Sequence, residues 1–233
     1  MALARFAAGE GTVSSRRIAG LDEAGRGSAV GPLVAGAFVL EEPQLEALRE
    51  LGVRDSKQLS AARRTEIHAA LPRLGRCRSI ALGPRTIDRH VARGRLNELE
   101  LDAFARLARE LAPDVVYVDA CDPDAARFGR RLAALVGDGI TVVSRHRADE
   151  EFLIVGAASI VAKVRRDRAL ERLRRQLGDE LGSGYPSDPR TQDFIARTVR
   201  AGGTPPAWLR LSWAPVQRVM RARSARTLDE FLP

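Results

Sequence analysis

The feature that most constrains the fold is a five-residue run, Val115-Val116-Tyr117-Val118-Asp119. It is too short and too rich in β-branched and aromatic residues for a helix, and too apolar for a loop, so it reads as a buried strand. Helical patterns stand on both sides, at Leu96–Leu111 and Pro123–Val136, and a further strand follows at Ile140–Val143. Such alternation predicts an α/β core with a mixed sheet. Upstream, Arg17–Asp22 and Leu33–Leu40 are apolar runs joined through Gly25-Arg26-Gly27 and Gly31-Pro32, the pattern of neighbouring antiparallel strands, and Arg76–Leu82 supplies a third. Helices are expected over Pro43–Leu51 and over Ser60–Leu71, with Ser60 as N-cap.

Beyond Asp149 the character changes. Gly156-Ala157-Ala158-Ser159-Ile160-Val161-Ala162-Lys163 is a run of small residues that fits a closely packed helix. It leads into a charged helical segment, Arg165–Leu177, with Glu171 and Arg175 as an i,i+4 pair. The remainder predicts a helical appendage: a Gly-Ser-Gly-Tyr-Pro turn, a helix near Thr191–Arg200, the loop Gly202–Pro206 and a last helix near Pro215–Arg223.

Charge narrows the partners. Residues 145–226 hold 17 basic residues against 9 acidic, whereas residues 1–144 hold 21 against 19. A basic half suits a polyanion, because Lys and Arg contacts release counterions from phosphates; the alternative is a solvated Arg-rich surface. No stretch approaches the roughly 20 apolar residues of a membrane span. The N-terminal apolar patch, broken by Arg5 and followed by Glu10, makes a poor secretion signal. Cys77 and Cys121 are too few for a disulfide framework or a zinc site. A cytoplasmic protein is expected.

The chemistry lies in the acids. Asp22-Glu23 closes the first strand, Asp119 closes the Val115 strand, and Asp149 stands before the Ala-rich helix. Neighbouring strands that end together bring Asp22 and Asp119 close. Clustered carboxylates need a metal or a shared proton to be tolerated, and oxygen-only ligation favours Mg2+ or Mn2+ over zinc. Taken singly, each has a structural alternative: Asp119 or Asp122 can cap the helix after Pro123, and Asp149 the helix that follows it. Together at strand ends they favour the metal.

Ile18-Ala19-Gly20-Leu21-Asp22-Glu23-Ala24-Gly25-Arg26-Gly27 with Gly31–Ala37 resembles the opening signature of the ribonuclease HII family. So do Asp55-Ser56-Lys57-Gln58-Leu59-Ser60, Tyr117-Val118-Asp119-Ala120, Ala148-Asp149 with Ala157–Lys163, and Gly182–Pro189, all in the family's order from Ile18 to Trp213. The resemblance implies a ribonuclease H-like mixed sheet flanked by helices with a helical C-terminal extension, divided as core 1–178, extension 179–223 and tail 224–233. It implies an endonuclease that hydrolyses the RNA strand of RNA–DNA hybrids and nicks 5′ of ribonucleotides embedded in DNA. The ends left are 5′-phosphate and 3′-hydroxyl, and the roles are ribonucleotide and RNA primer removal. Asp22, Glu23, Asp119 and Asp149 become the ligands of two divalent ions, Mg2+ or Mn2+. Gly25, Arg26 and Gly27 grip the ribonucleotide through its 2′-hydroxyl, Tyr185 stacks on the next sugar, and Lys57 contacts phosphate. Arg147 stands where the family usually has lysine, and Glu150-Glu151-Phe152 replaces a less acidic, tyrosine-bearing stretch.

The spelling of the Gly182–Pro189 block and of Arg210-Leu211-Ser212-Trp213 leans toward an archaeal type acting as a monomer. The tail Thr227-Leu228-Asp229-Glu230-Phe231-Leu232 resembles the sliding-clamp-binding peptide of replication proteins, with Leu228, Phe231 and Leu232 as the plug. Ala225 replaces its usual glutamine and Leu232 its second aromatic; the alternative is a tail folded back on its own domain. Two other classes compete for the whole chain. A binding module without catalysis would keep the basic half but has no need of the four acids, and a phosphotransferase would need the Gly-rich phosphate loop that is missing here. With 21 residues before Asp22, the sister type with an N-terminal binding domain is disfavoured. Arg165, Arg166 and Arg168 either track a duplex backbone or form a solvated face, and Trp208 and Trp213 are expected in the core.

Overall fold

The computed structural model of the protein describes residues 15–53 and 59–229, with side chains as far as residue 224. Five strands form one sheet: β1 (Arg17–Ala24), β2 (Leu33–Glu41), β3 (Arg76–Leu82), β4 (Val115–Asp119) and β5 (Thr141–Arg145). Their order is β3-β2-β1-β4-β5. The first three are antiparallel neighbours, while β4 and β5 join parallel to β1, giving the expected mixed sheet.

Nine α-helices accompany it among the described residues: α1 (Leu45–Glu50), α2 (Ala61–Ala70), α3 (Pro84–Val91), α4 (Leu96–Leu111), α5 (Ala125–Val136), α6 (Ala148–Glu151), α7 (Leu153–Leu177), α8 (Pro189–Arg200) and α9 (Ala214–Asp229). Ser60 caps α2 as expected, accepting from the Arg63 amide. Asp124, rather than Asp119 or Asp122, caps α5 through the Arg127 amide. Helix α3 was not expected, although Gly83-Pro84 places proline at its first turn, where a missing N–H costs nothing.

Side chains alternate across the sheet, and the two faces carry different cores. Ala19, Leu21, Val116 and Val118 meet Phe104, Leu107, Phe128 and Leu132 of α4 and α5. Ile18, Phe38 and Val115 meet Ile154, Val155, Ile160 and Val161 of α7, beside Leu48 and Ile67 of α1 and α2. Helix α7 lies unusually close to the sheet. A Cβ on Gly20 would stand 2.1 Å from the Ile154 carbonyl oxygen, and one on Gly36 would stand 2.6 Å from that of Ala158. The small-residue run therefore exists to let backbone approach backbone.

The C-terminal elements build a separate cluster around Leu181, Ile195, Leu209 and Val216. It is clipped to the β1–β2 connection: the Ala29 and Val30 amides donate to the Gly184 carbonyl at 2.9 and 3.2 Å, and Gly31 donates to Trp208 at 2.8 Å. Trp208 packs against Phe194, and Trp213 joins the same cluster, in line with their expected packing role.

Candidate active site

Parallel pairing of Leu21 with Val118 brings the next residues of β1 and β4, Asp22 and Asp119, side by side at the strand ends. Both belong to the face covered by α7, because each lies an even number of residues from Ile18 or Val115. Asp149 arrives from α6, directly after β5. Carboxylate oxygens of Asp22, Asp119 and Asp149 all lie within 4.8 Å of one another. Asp22 and Asp149 are only 6% and 5% exposed and Asp119 is half-buried, so the group is a set of crowded, largely buried carboxyls and not a solvated acidic patch.

Local backbone builds this arrangement. Arg147 adopts the left-handed conformation, with φ of 57°, to turn the chain from β5 into α6. A non-glycine residue there costs about 1–2 kcal/mol. The Ala148 amide then donates to Asp119 at 3.4 Å, tying the start of α6 to the end of β4. Ser159, wholly buried on α7, hydrogen bonds the Asp22 carboxylate. The near-contacts of α7 with Gly20 and Gly36 make that reach possible, since Gly36 pairs with Asp22 across the β1–β2 ladder.

Glu23 is placed differently. It follows Asp22, so its side chain leaves on the opposite face of the sheet, and it is not part of the close group of three. Its amide donates to Asp22 at 2.7 Å. Its charge is felt by the cluster all the same. Burial, followed by Glu23, holds the Asp22 carboxyl well above the usual range, with Asp119 and Asp149 adding to the shift. Burial pushes Glu23 up to about 7; Arg26 opposes the shift, and Asp119 and Asp149 reinforce it. A cluster that resists ionisation when bare is one that a divalent cation stabilises, and the all-oxygen donor set fits a hard ion.

The sign of this effect gives a stability prediction. Below pH 4.5 Glu23 is protonated in both states; between 4.5 and about 7 the unfolded chain releases a proton that the native protein keeps. Native stability of chelated protein should therefore fall as pH rises through that window and level off above it. His68, lowered by burial and by Arg168 and Arg165, contributes in the opposite direction. Melting curves at pH 5 and pH 8 should accordingly be read against a Glu23→Gln variant. The drop should be larger in the parent, and an equal drop in both would refute the assignment.

The Gly25–Gly27 turn lies next to Glu23. Gly25 has φ of 85°, a conformation glycine takes without strain. The Arg26 side chain is held by buried Glu100 and by Asn97, whose amide donates to Asp122 at 3.1 Å. Asp122 is itself paired with Arg127, so it braces the loop and does not join the acid cluster. All three loop carbonyls are occupied: Gly25 accepts from the Ser28 amide, Arg26 from Arg210, and Gly27 from the Trp213 indole. The amides of Arg26 and Gly27, in contrast, donate to nothing among the described residues. Among the described residues nothing lies within 4 Å of where a Gly27 Cβ would be. The described structure therefore leaves room at Gly27, in a turn that follows β1 and its Asp22-Glu23 pair.

Tyr185 joins from the C-terminal elements. Its ring lies under the Arg166 guanidinium, 4.5 Å from carbon to centroid. Arg166 is 5% exposed and donates to Ser28 Oγ at 2.9 Å, so it does not track a duplex backbone; Arg165 and Arg168 are exposed. A Cβ on Gly25 would strike Arg166 Nε at 2.3 Å, so this arginine fills the gap between the loop and Tyr185. Lys57, Phe231 and Leu232 lie outside the described residues, and Leu228 is described only as backbone of α9. Cys121, beside Glu23, is pushed up to about 12 by burial, which keeps it a neutral thiol.

Sequence reasoning missed Ser159, Asn97, Glu100 and Arg210. Ser159 stood within a recognised block, and its polar hydroxyl in a run of small apolar residues was the available signal.

The model of the ribonuclease HII family matches residues 19–216. The ribonuclease HII of Thermococcus onnurineus is 41% identical over 226 residues, covering 92% of this chain and 98% of the relative. Among solved structures, the ribonuclease H2 of Pyrococcus horikoshii superposes with a TM-score of 0.83 at 37% identity, over 89% of this chain and 99% of that one. The ribonuclease HII of Archaeoglobus fulgidus, solved in complex with PCNA, gives 0.79 at 38% identity, over 87% and 96%.

Proposed function

The chain belongs to the ribonuclease HII family and is an RNA–DNA hybrid endonuclease of the ribonuclease H class; from that premise we propose that it nicks duplexes on the 5′ side of a ribonucleotide, single or in a run, leaving 5′-phosphate and 3′-hydroxyl ends. The observation that carries this reading is the meeting of three carboxylates, two of them buried and one half-buried, from three separate chain segments, within 4.8 Å. Asp22, Asp119 and Asp149 would hold divalent cations, with Glu23 contributing from the other side of the strand end. When bound, two such ions supply Lewis acidity at the scissile phosphate and an activated water for in-line attack.

The protein's own groups do the rest. Ser159 fixes the Asp22 carboxylate, and the Ala148 amide fixes that of Asp119. The free amides of Arg26 and Gly27 are donors for the ribose 2′-oxygen, a group that DNA lacks. Tyr185, backed by Arg166, offers a flat face to the sugar that follows. Lys57 is assigned to phosphate by family likeness. The roles proposed are removal of misincorporated ribonucleotides and of RNA primers, in the cytoplasm and as a monomer, with residues 1–178 as catalytic core and 179–223 as extension. No helix among the described residues is long and apolar enough to cross a membrane.

A DNA duplex carrying one ribonucleotide tests the proposal. A nick mapped to its 5′ side with Mg2+ or Mn2+, absent with chelator and absent on all-DNA duplex, is the expected result. Duplex binding without cutting under either metal would reduce the protein to a binding module.

For the tail, we propose that Leu228, Phe231 and Leu232 engage a sliding clamp. The support is the motif itself, together with the solved clamp complex of the Archaeoglobus relative. Deleting residues 228–233 should abolish clamp binding in a pull-down and leave cleavage of short duplexes unchanged. Binding that survives the deletion would refute the proposal.

A further inference from the structure

Arg210 is the largest fully buried side chain among the described residues, and its guanidinium hydrogen bonds two backbone carbonyls instead of a carboxylate. Nε donates to Gly31 at 3.0 Å and Nη1 to Arg26 at 2.9 Å, while the plane stacks 4.8 Å from the Trp213 ring. Its Nη2 has no hydrogen-bond partner among the described residues. Burial and the nearby charge of Arg166 push it down to about 9. Burying a cation this way, with one donor unmet, is a poor route to stability. A reason for it should lie in what the arginine holds.

What it holds is one side of a peptide plane. In a trans peptide the carbonyl of one residue and the N–H of the next point in opposite directions. Arg210 takes the Arg26 carbonyl from the protein side, so the Gly27 N–H faces the other way, where the Gly27 Cα borders open space. Trp213 does the same one residue on. Its indole takes the Gly27 carbonyl, and the Ser28 N–H turns back onto the Gly25 carbonyl to close the loop. The Arg210 amide donates to Ala29 at 2.9 Å and Leu209 bridges Val30, so Leu209 and Arg210 are registered on the β1–β2 connection by backbone as well.

We propose that Arg210, seconded by Trp213, is a specificity-positioning residue: the C-terminal extension uses it to aim the Gly27 amide at the ribose, and so sets the preference for ribonucleotide over deoxyribonucleotide. The inference rests on the reading that the Gly25–Gly27 loop grips the ribose. Lysine cannot replace this arginine, because an ammonium lacks the planar fork that spans two carbonyls and stacks on the indole.

The measurement is the ratio of affinities for a duplex with one ribonucleotide and for the same duplex in all-DNA form, taken with Ca2+ and no Mg2+. Because both affinities come from one preparation, a reduced folded fraction cancels from the ratio. Arg210→Lys should lower the ratio about tenfold, and Trp213→Phe, which keeps an aromatic ring but loses the indole donor, about threefold in the same direction. Gly27→Ala separates the two levels of argument: its Cβ meets nothing among the described residues but would occupy the space for the sugar. Collapse of the ratio in Gly27→Ala with no change in Arg210→Lys or Trp213→Phe overturns this inference alone. An unchanged ratio in Gly27→Ala overturns the loop reading, and this inference with it.

Discussion

An Asp119→Asn variant should lose cleavage by well over a hundredfold while melting no lower than the parent in chelator. Both halves follow from the same geometry. Asp119 sits between Asp22 on the neighbouring strand and Asp149 on α6, with its oxygens within 4.8 Å of theirs. Outer partners of metal ligands are worth about 10–100-fold in activity, and a ligand itself should exceed that. The stability half comes from repulsion: Asp119 is among the charges that raise Asp22 and Glu23. Removing its charge relieves bare, metal-free protein, and the amide still has an oxygen to accept from Ala148. Single-turnover cleavage of a one-ribonucleotide duplex, together with melting curves in chelator and in Mg2+, measures both effects. The parent should gain stability on adding Mg2+, and the variant should gain much less. Cleavage within tenfold of the parent would remove Asp119 from the site, and a lower melting point in chelator would mean that its role is structural.

How far this site was legible in the sequence depends on what each residue does. Strand-end acids are visible as a set: each singly could cap a following helix, but together at the ends of apolar runs they point to a shared ligand, and parallel pairing puts Asp22 and Asp119 side by side. The split between Asp22 and Glu23 was equally open to that reasoning, since adjacent strand residues face opposite sides. The buried arginines were not. Arg165, Arg166 and Arg168 look alike in composition, yet only position 166 shares a helical face with Ala162 and Leu170, four residues away on either side and both buried. Helical phase could have singled it out. Nothing local marks Arg210, because its partners, the carbonyls of Arg26 and Gly31, lie more than 170 residues away. Asp88 is a similar case: it accepts from the Leu211 and Ser212 amides, both at 2.9 Å, from helix α3, which the sequence pattern does not announce. Contacts of this kind are set by tertiary packing, and they are what joins the extension to the catalytic loop.

Gly20→Ala should be among the most damaging single-methyl changes in the protein. The added Cβ would lie 2.1 Å from the Ile154 carbonyl oxygen, 2.4 Å from its carbon and 2.7 Å from the Val155 nitrogen. These are backbone atoms in the first turn of a 25-residue helix, so no side-chain rotation can relieve the clash. Overpacking a core typically costs about 1–3 kcal/mol, and contacts with backbone belong at the upper end of that range. For a chain of this size each kcal/mol moves the melting point by about 2–4 °C, so a fall of roughly 6–12 °C is expected. The consequence for function follows from what α7 carries. To make room, the helix must move away from β1, and Ser159 must move with it from Asp22, so metal affinity should fall even at temperatures where the variant is folded. Gly139→Ala, whose Cβ would meet nothing within 4 Å, is the matched control and should behave as the parent. Isothermal titration of Mn2+ well below the melting point separates the two effects. Weakened binding by folded Gly20→Ala supports α7 as the element that holds the site in register. A melting point and Mn2+ affinity both equal to those of the control would show that the sheet and helix have slack, and that Ser159 does not depend on the contact.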